Sequence, residues 1–162
     1  MITAKSHAII EATVGLVREH GVDITRCFYT SLFATHPELT NLFNQASGNQ
    51  QQALASAVYA YAANINNPAA LEPILNRIAH KHASLGIRPA QYTVVGKHLL
   101  WAIENVLGSL ATPAIMAAWD EAYWLLACDL VAREATLYAQ HHAQLDVNFW
   151  QTLQIKKIVQ ET

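Results

Sequence analysis

Two histidines, His80 and His82, lie one residue apart in the segment RIAHKHASLG, residues 77–86. At about 100° per residue, His82 shares one face of a helix with a stripe of apolar side chains, whereas His80 falls on the opposite face. The stripe consists of Leu71, Ile74, Leu75, Ile78 and Leu85. An inward histidine needs a partner for each ring nitrogen, either a hydrogen-bonding group or a metal ion. The spacing alone favours a core histidine satisfied by hydrogen bonds, because most buried polar groups are satisfied in that way.

A metal bound at His82 would have to be one that needs few protein ligands. The sequence places no second inward His, Asp, Glu or Cys at ligand spacing near His82, so a zinc or di-iron site is poorly supported. Haem iron needs only one protein ligand, since the porphyrin supplies four in-plane nitrogens. The hypotheses that stay open for His82 are therefore a hydrogen-bonded core residue and a haem ligand.

The elements that must position His82 are predicted to be helices, because nearly every periodic segment of the 162 residues has the helical period. Only 14% of the residues are charged, which suits helices with broad buried faces. The predicted helices span about 3–20, ending at Gly21, then 24–34, 50–64, 69–86, 91–107 and 113–142, with a short corner at 35–43. The pattern predicts an all-α domain, either a layered stack or a bundle of helices.

Composition narrows the class of protein. The net charge is −2, with 10 basic and 12 acidic residues and no dense basic cluster, which argues against nucleic acid as the main partner. No apolar run approaches 20 residues, which argues against a membrane span. The N-terminus has no signal-peptide core, so we expect a cytoplasmic protein. Cys27 and Cys128 are expected to be buried free thiols, and Trp101 and Trp124 are expected to fill core volume.

Several motifs stand in an order and spacing that resemble the globin domain of flavohemoglobins and of single-domain bacterial hemoglobins. These motifs are FYTSLF, HPEL, QQQALA, IAHKHASLGI, QYTVVG, AWDEAY and REATLYAQ. The resemblance covers roughly residues 5–142 and implies a globin fold of seven to eight helices stacked around a haem pocket. It implies a globin domain over 1–142, followed by a tail, 143–162, that resembles the start of a reductase domain.

The resemblance also implies roles for individual residues. It makes His82 the ligand of the haem iron, and Tyr29 and Gln50 the polar pair on the side of the bound gas. Tyr92 and Glu134 become hydrogen-bond partners that give the His82 ring anionic character. Taken alone, Tyr29 would be a core tyrosine, Gln50 a solvated residue of a first helical turn, and Glu134 a surface charge. The other residues implied at the haem are Phe43, Leu54, Val58, Val95, Leu99 and Lys81.

The activity implied by the resemblance is nitric oxide dioxygenation at haem b (iron protoporphyrin), which binds dioxygen, nitric oxide or carbon monoxide. An electron must return to the iron after each turnover. The sequence holds no Gly-rich dinucleotide motif, so FAD and NAD(P)H would act through a missing or separate reductase. Lys81 is a candidate for docking that reductase, or simply a solvated lysine. The alternatives are a reversible dioxygen-binding protein, a gas or redox sensor, and a haem-free helical interaction domain.

Overall fold

The computed structural model describes residues 2–43 and 49–140, and within these ranges it is helical with no strand. The α-helices are α1 (Ala4–Thr35), α2 (Gln50–Ala63), α3 (Pro68–Leu85), α4 (Pro89–Leu107) and α5 (Pro113–Gln140). Short 3-10 helices occupy Pro37–Leu42 and Gly108–Leu110. The predicted all-α fold is confirmed, and α2 to α5 begin and end close to the predicted residues. The predicted tail and the last two residues of the final predicted helix lie outside the described residues.

The predicted break at Gly21 is wrong, because α1 continues through this glycine as far as Thr35. Gly21 is buried, and a Cβ built on it would lie 3.1 Å from the Cβ of Ala55 in α2. The glycine therefore allows α1 and α2 to approach closely. A glycine that follows a helical run commonly ends the helix in a left-handed conformation, but the positive φ angles of the described chain fall at Gly86 and Gly108 instead.

The core forms around α1, which contacts α2, α4 and α5. Its most buried apolar residues recur with the helical period, at Ile10, Val17, Ile24, Phe28 and Leu32. Two side-chain hydrogen bonds connect α5 to its neighbours in this core. The Trp119 indole donates to the Thr13 hydroxyl at 3.1 Å, and the Tyr61 hydroxyl donates to the Ala122 carbonyl at 3.2 Å. These contacts make α1, α2 and α5 a frame for the rest of the domain.

The helix that carries His82, α3, packs mainly against α5. It begins with the Asn67 side chain accepting a hydrogen bond from the Ala70 amide, and with Pro68 in its first turn, where a missing N–H costs little. It ends at Gly86, whose φ of 69° is the left-handed conformation common at helix ends. Because α5 is the main support of α3, the position of His82 depends on the contacts between these two helices.

Two tryptophans and two cysteines lie nearer the surface than expected. Trp101 is 46% exposed and Trp124 is 40% exposed, so the expectation that they fill core volume is wrong. At this point of α4 the side chain that points into the core is that of Ala102, the next residue, which is fully buried. Cys27 is half-buried and Cys128 is exposed, so neither is the fully buried thiol that was expected.

None of the described helices is long and apolar enough to cross a membrane.

Candidate functional site

The side chains of His82, Tyr92 and Glu134 meet, each from a different helix. The Nδ1 atom of His82 lies 2.8 Å from Glu134 Oε1 of α5 and 2.9 Å from the Tyr92 hydroxyl of α4. The Tyr92 hydroxyl donates a hydrogen bond to the same Glu134 oxygen at 2.5 Å. His82, Tyr92 and Glu134, here called the His82 cluster, thus come together although 52 residues separate the histidine from the glutamate.

The carboxylate of the His82 cluster is almost completely buried, with Glu134 only 2% exposed. Burying a charge is costly unless hydrogen bonds compensate, and Oε1 has both His82 and Tyr92 as partners. Oε2 has no hydrogen-bond partner among the described residues. Burial raises the pKa of Tyr92 well above its usual range, and its hydrogen bond to Glu134 raises it further. Tyr92 therefore stays protonated at neutral pH and remains a donor.

The hydrogen bonds of the cluster assign a tautomer to His82. Because the Tyr92 proton is committed to Glu134, both neighbours of His82 Nδ1, the carboxylate and the Tyr92 oxygen, are acceptors, which places a proton on Nδ1. With that proton on Nδ1, the Nε2 atom keeps a free lone pair, which is the form of imidazole that binds metals. The side chain of His82 is 32% exposed, so the ring is not enclosed on all sides. His80 is exposed on the opposite face of α3, as the spacing predicts.

Two tyrosines of α5 that were not predicted support the cluster. The Tyr123 hydroxyl donates to the Tyr92 carbonyl at 2.5 Å, and its ring lies against Gly96, where a Cβ would overlap it. The Tyr138 hydroxyl donates to the Ile87 carbonyl at 2.7 Å, just beyond the end of α3. The isolated glycine inside α4 was the one sequence signal for the first contact, because such glycines often mark a close approach.

Tyr29 and Gln50 also meet, although they come from α1 and α2. Tyr29 is buried, and burial raises the pKa of its hydroxyl to about 12 while a hydrogen bond from the Gln50 side chain acts in the opposite direction. Gln50 is the first residue of α2 and is half-buried. The two residues are therefore neither a tyrosine with a surface hydroxyl nor a fully solvated glutamine.

Other aromatic rings pack against the ring of Tyr29. Phe43 stands edge-on to both Tyr29 and Phe33 with ring centroids 5.4 Å apart in each case, and Tyr29 stacks on Phe33 at 5.6 Å. These three rings and Gln50 are here called the Tyr29 cluster. Among the remaining predicted residues, Leu99 is buried and Lys81 is exposed, whereas three are half-buried at the edge of the core: Leu54, Val58 and Val95.

The donor set at His82 fits a haem iron better than a bare metal ion. The cluster offers one free imidazole nitrogen, and the described part of the chain contains no group of three or more His, Cys, Asp or Glu residues that could hold an ion. A porphyrin supplies the other in-plane ligands itself and is largely apolar. The half-buried leucine and valines named above are side chains that such a ring could cover.

Comparison with known proteins identifies the family. The model of the family described as Globin matches residues 26–130, a range that includes Tyr29, His82, Tyr92 and the first part of α5. The chain belongs to the globin family. A curated relative, the flavohemoprotein of Rhizobium meliloti, is 53% identical over 141 residues, which cover 85% of this globin and 35% of the relative. This globin therefore spans about 35% of the length of that relative.

Solved structures agree with this assignment. An engineered carbene transferase from Rhodothermus marinus, described as a candidate nitric oxide dioxygenase, matches with a TM-score of 0.84 and 35% identity over 88% of this globin and 99% of that chain. The flavohemoglobin of Malassezia yamatoensis, solved with bound FAD and haem, matches with a TM-score of 0.80 and 39% identity over 86% of this globin and 38% of that chain. The globin domain is thus flavohemoglobin-like.

Proposed function

We propose that this globin holds haem b through His82 and converts nitric oxide and dioxygen to nitrate in the cytoplasm. The observation that carries the proposal is the buried Glu134 carboxylate at 2.8 Å from His82 Nδ1. The description of the Rhodothermus marinus relative and the haem bound in the Malassezia yamatoensis relative support it. Haem bound at Nε2 would supply the iron that binds the gases and accepts an electron between turnovers.

Glu134 and Tyr92 would control how strongly His82 donates electrons. A carboxylate that accepts the Nδ1 proton increases the basicity of the imidazole, and the effect is larger in a site from which water is excluded. Tyr92 keeps its proton and fixes the orientation of the carboxylate. A globin that only stores dioxygen needs no such negative charge behind its ligand, so this arrangement favours turnover.

Tyr29 would act on the opposite side, as the hydrogen-bond donor to the bound gas. With a pKa of about 12 its hydroxyl is protonated at neutral pH. Because Gln50 supplies a hydrogen bond to the Tyr29 oxygen, the tyrosine proton remains free for a ligand that carries partial negative charge. Phe43 and the half-buried side chains of α2 and α4 would cover the porphyrin: Leu54, Val58, Val95 and the neighbouring Leu99.

A reductase would return the electron, and the basic residues of α3 and of the start and middle of α4 suit a partner with an acidic face. No acidic residue occurs between Glu72 and Glu104. The same stretch carries four exposed basic residues, Arg77, Lys81, Arg88 and Lys97. Lys81 adjoins His82 in sequence and is the proposed centre of this docking surface. FAD and NAD(P)H would be bound by the reductase, as FAD is in the Malassezia yamatoensis structure.

The test is to load the protein with haem, reduce it, saturate it with dioxygen and mix it with nitric oxide in a stopped-flow spectrometer. We expect oxidation of the iron and one nitrate per haem, with carbon monoxide binding to the reduced form as the control for an open site. Slow oxidation with little nitrate would instead favour the second candidate, reversible binding and delivery of dioxygen. The Tyr29 hydroxyl is compatible with both candidates, because it would stabilise bound dioxygen in either case, so the nitrate yield decides between them.

A further inference from the structure

The residue next to Glu134 in α5 is an arginine whose hydrogen bonds are completely used. Arg133 donates to Glu72 at 2.9 and 2.8 Å, to Asp129 at 2.9 and 3.3 Å, and to Asn76 Oδ1 at 2.6 Å. These five bonds account for all five N–H groups of the guanidinium. Bidentate pairing of arginine with a carboxylate fixes geometry as well as adding energy, and here two carboxylates are paired in this way.

Two of the three partners of Arg133 lie on α3, the helix that carries His82. Glu72 and Asn76 are also joined to each other, since the Asn76 amide donates to Glu72 at 3.1 Å. The hydrogen bond from Arg133 lowers the pKa of Glu72, so the carboxylate stays ionised at neutral pH. Arg133 thus connects α5 to a preorganised pair on α3, whereas Asp129 holds the arginine side chain from within α5.

Polar contacts connect α3 and α5 at three successive levels. Arg133 donates hydrogen bonds to Glu72 and Asn76 in the first half of α3. Glu134 contacts His82 near the end of this helix. The Tyr138 hydroxyl donates to the Ile87 carbonyl, just after the helix ends. Since α3 packs mainly against α5, the contacts between these two helices set the register of α3. Arg133 and Glu134 are consecutive, so a shift at the first level moves the carboxylate relative to His82.

We propose that Arg133 is a positioning residue that holds α3 in the register at which Glu134 meets His82 Nδ1. The residue touches neither the proposed iron ligand nor a bound gas. It acts through the helix pair, by setting the length and direction of the hydrogen bond from His82 to Glu134. The proposal rests on the proposed function only in taking His82 as the iron ligand.

The experiment compares Arg133→Met with the parent protein, because methionine keeps part of the aliphatic stem and removes every N–H donor. Arg26→Met is the matched control, since Arg26 donates to Asp23 at 2.9 Å on the exposed side of α1, away from α3. Resonance Raman spectra of the reduced, haem-loaded proteins report the iron–histidine stretching frequency. We expect a lower frequency in Arg133→Met, a smaller shift in the same direction in Glu72→Gln, and no change in Arg26→Met.

A second measurement does not require His82 to bind iron. The ring N–H proton of His82, observed by NMR in the purified protein and assigned with Glu134→Gln, should move upfield in Arg133→Met as its hydrogen bond lengthens. An unchanged N–H resonance and an unchanged stretching frequency, with only a lower melting temperature, would show a merely stabilising role and overturn the proposal.

If Arg133→Met does not fold, Glu72→Gln decides in the same way. A parent protein without an iron–histidine band would refute the proposed function, whereas the NMR shift would still test Arg133.

Discussion

The His82 cluster and the Tyr29 cluster are built in opposite ways. The first joins α3, α4 and α5 through hydrogen bonds that converge on one oxygen of a buried carboxylate. The second joins α1, the corner after it and α2 through ring contacts, with one hydroxyl and one amide among them. A buried charge beside a histidine ligand increases how strongly the ligand donates electrons, whereas aromatic rings mainly set the shape of a site.

From this difference we expect a division of work between the two clusters. The side of His82 carries negative charge and is fixed by several helices, so changes there should alter the iron itself. The side of Tyr29 is aromatic apart from the Tyr29 hydroxyl and the Gln50 amide, so changes there should alter how long a gas stays bound. Five substitutions test this division, beginning with the one of largest expected effect.

Replacing His82 with alanine should abolish stable haem binding, because the described residues of the His82 cluster offer no second imidazole. The measurement is the Soret band of the reduced, carbon-monoxide-bound protein after haem reconstitution. His80→Ala is the matched control, since this histidine is exposed two residues earlier on the same helix. A normal carbonyl spectrum in His82→Ala would show that the ligand lies elsewhere.

Glu134→Gln should keep the hydrogen-bond geometry but remove the charge behind His82. Loss of a partner of this kind commonly costs about 10- to 100-fold in activity or affinity, so we expect nitrate formation to slow by that factor. The reduction potential of the haem should rise, because the ligand donates less electron density. Glu104→Gln, on the exposed side of α4, is the control. Equal rates in both variants would remove the charge of Glu134 from the proposed mechanism.

Tyr29→Phe should leave haem binding and the reduction potential unchanged and speed the loss of dioxygen. A hydrogen bond to a group that carries charge contributes about 1.5 kcal/mol or more, which corresponds to dissociation about 10-fold faster. Flash photolysis or stopped-flow mixing with carbon monoxide measures the rate. Tyr59→Phe, at a half-buried tyrosine whose ring lies against Arg18, is the control. If Tyr29→Phe shifted the potential and not the dissociation rate, the two sides would not be divided as proposed.

Gly96→Ala should destabilise the protein although alanine is the better helix former. The new Cβ would overlap the Tyr123 ring and displace the hydroxyl that holds the Tyr92 carbonyl. Overpacking of this kind costs about 1–3 kcal/mol, against a gain of about 0.5–1 kcal/mol from helix propensity. Urea unfolding gives the free energy. Gly15→Ala, where nothing lies within 4 Å, should show the gain alone, and equal gains in both variants would contradict the proposed support of the His82 cluster.

The smallest effect is expected at His98, which joins α4 to α1 and belongs to neither cluster. Its Nδ1 lies 2.5 Å from the Ser31 hydroxyl and its Nε2 lies 3.1 Å from the Thr35 hydroxyl. Burial lowers the pKa of His98 below 6.5, and the neighbouring His36 and Lys97 lower it further. The folded protein then binds fewer protons than the unfolded one, so its stability is present above pH 6.5 and falls as the pH drops through the lowered value.

His98→Asn should therefore flatten the dependence of the melting temperature on pH below pH 6.5 while changing the absorption spectrum of the haem little. His20→Asn, in the middle of α1, is the control. A steeper dependence on acidification in His98→Asn than in the parent would reverse the assigned direction of the shift.

Much of the fold could be predicted because helical periodicity is local. The short corner at 35–43 and the ends of α2, α3 and α4 followed from prolines, glycines and apolar spacing. Gly21 misled the prediction, because a glycine can either end a helix or allow a second helix to pack closely against it. Only the position of Ala55 in α2 shows that the second case applies here. Trp101 and Cys128 misled it too, because hydrophobic character does not say which face of a helix is covered.

The candidate site was predictable to a different degree at each residue. The inward direction of His82 and the outward direction of His80 followed from spacing alone. Tyr92 and Glu134 became its partners only by resemblance, because nothing in the spacing connects α3 with two other helices. Tyr123 and Arg133 were missed, since each acts through a contact between helices far apart in sequence.

The sequence by itself determined most of the helical segments and the inward direction of His82, because these properties depend on neighbours within a few turns. Only the tertiary structure decided that the Glu134 carboxylate contacts His82, 52 residues away in sequence, and that Gly21 allows α1 and α2 to approach closely. The same holds for the hydrogen bonds by which Arg133 binds α3. The physical reason is that a meeting between helices depends on their crossing angle and register, which all of their contacts set together.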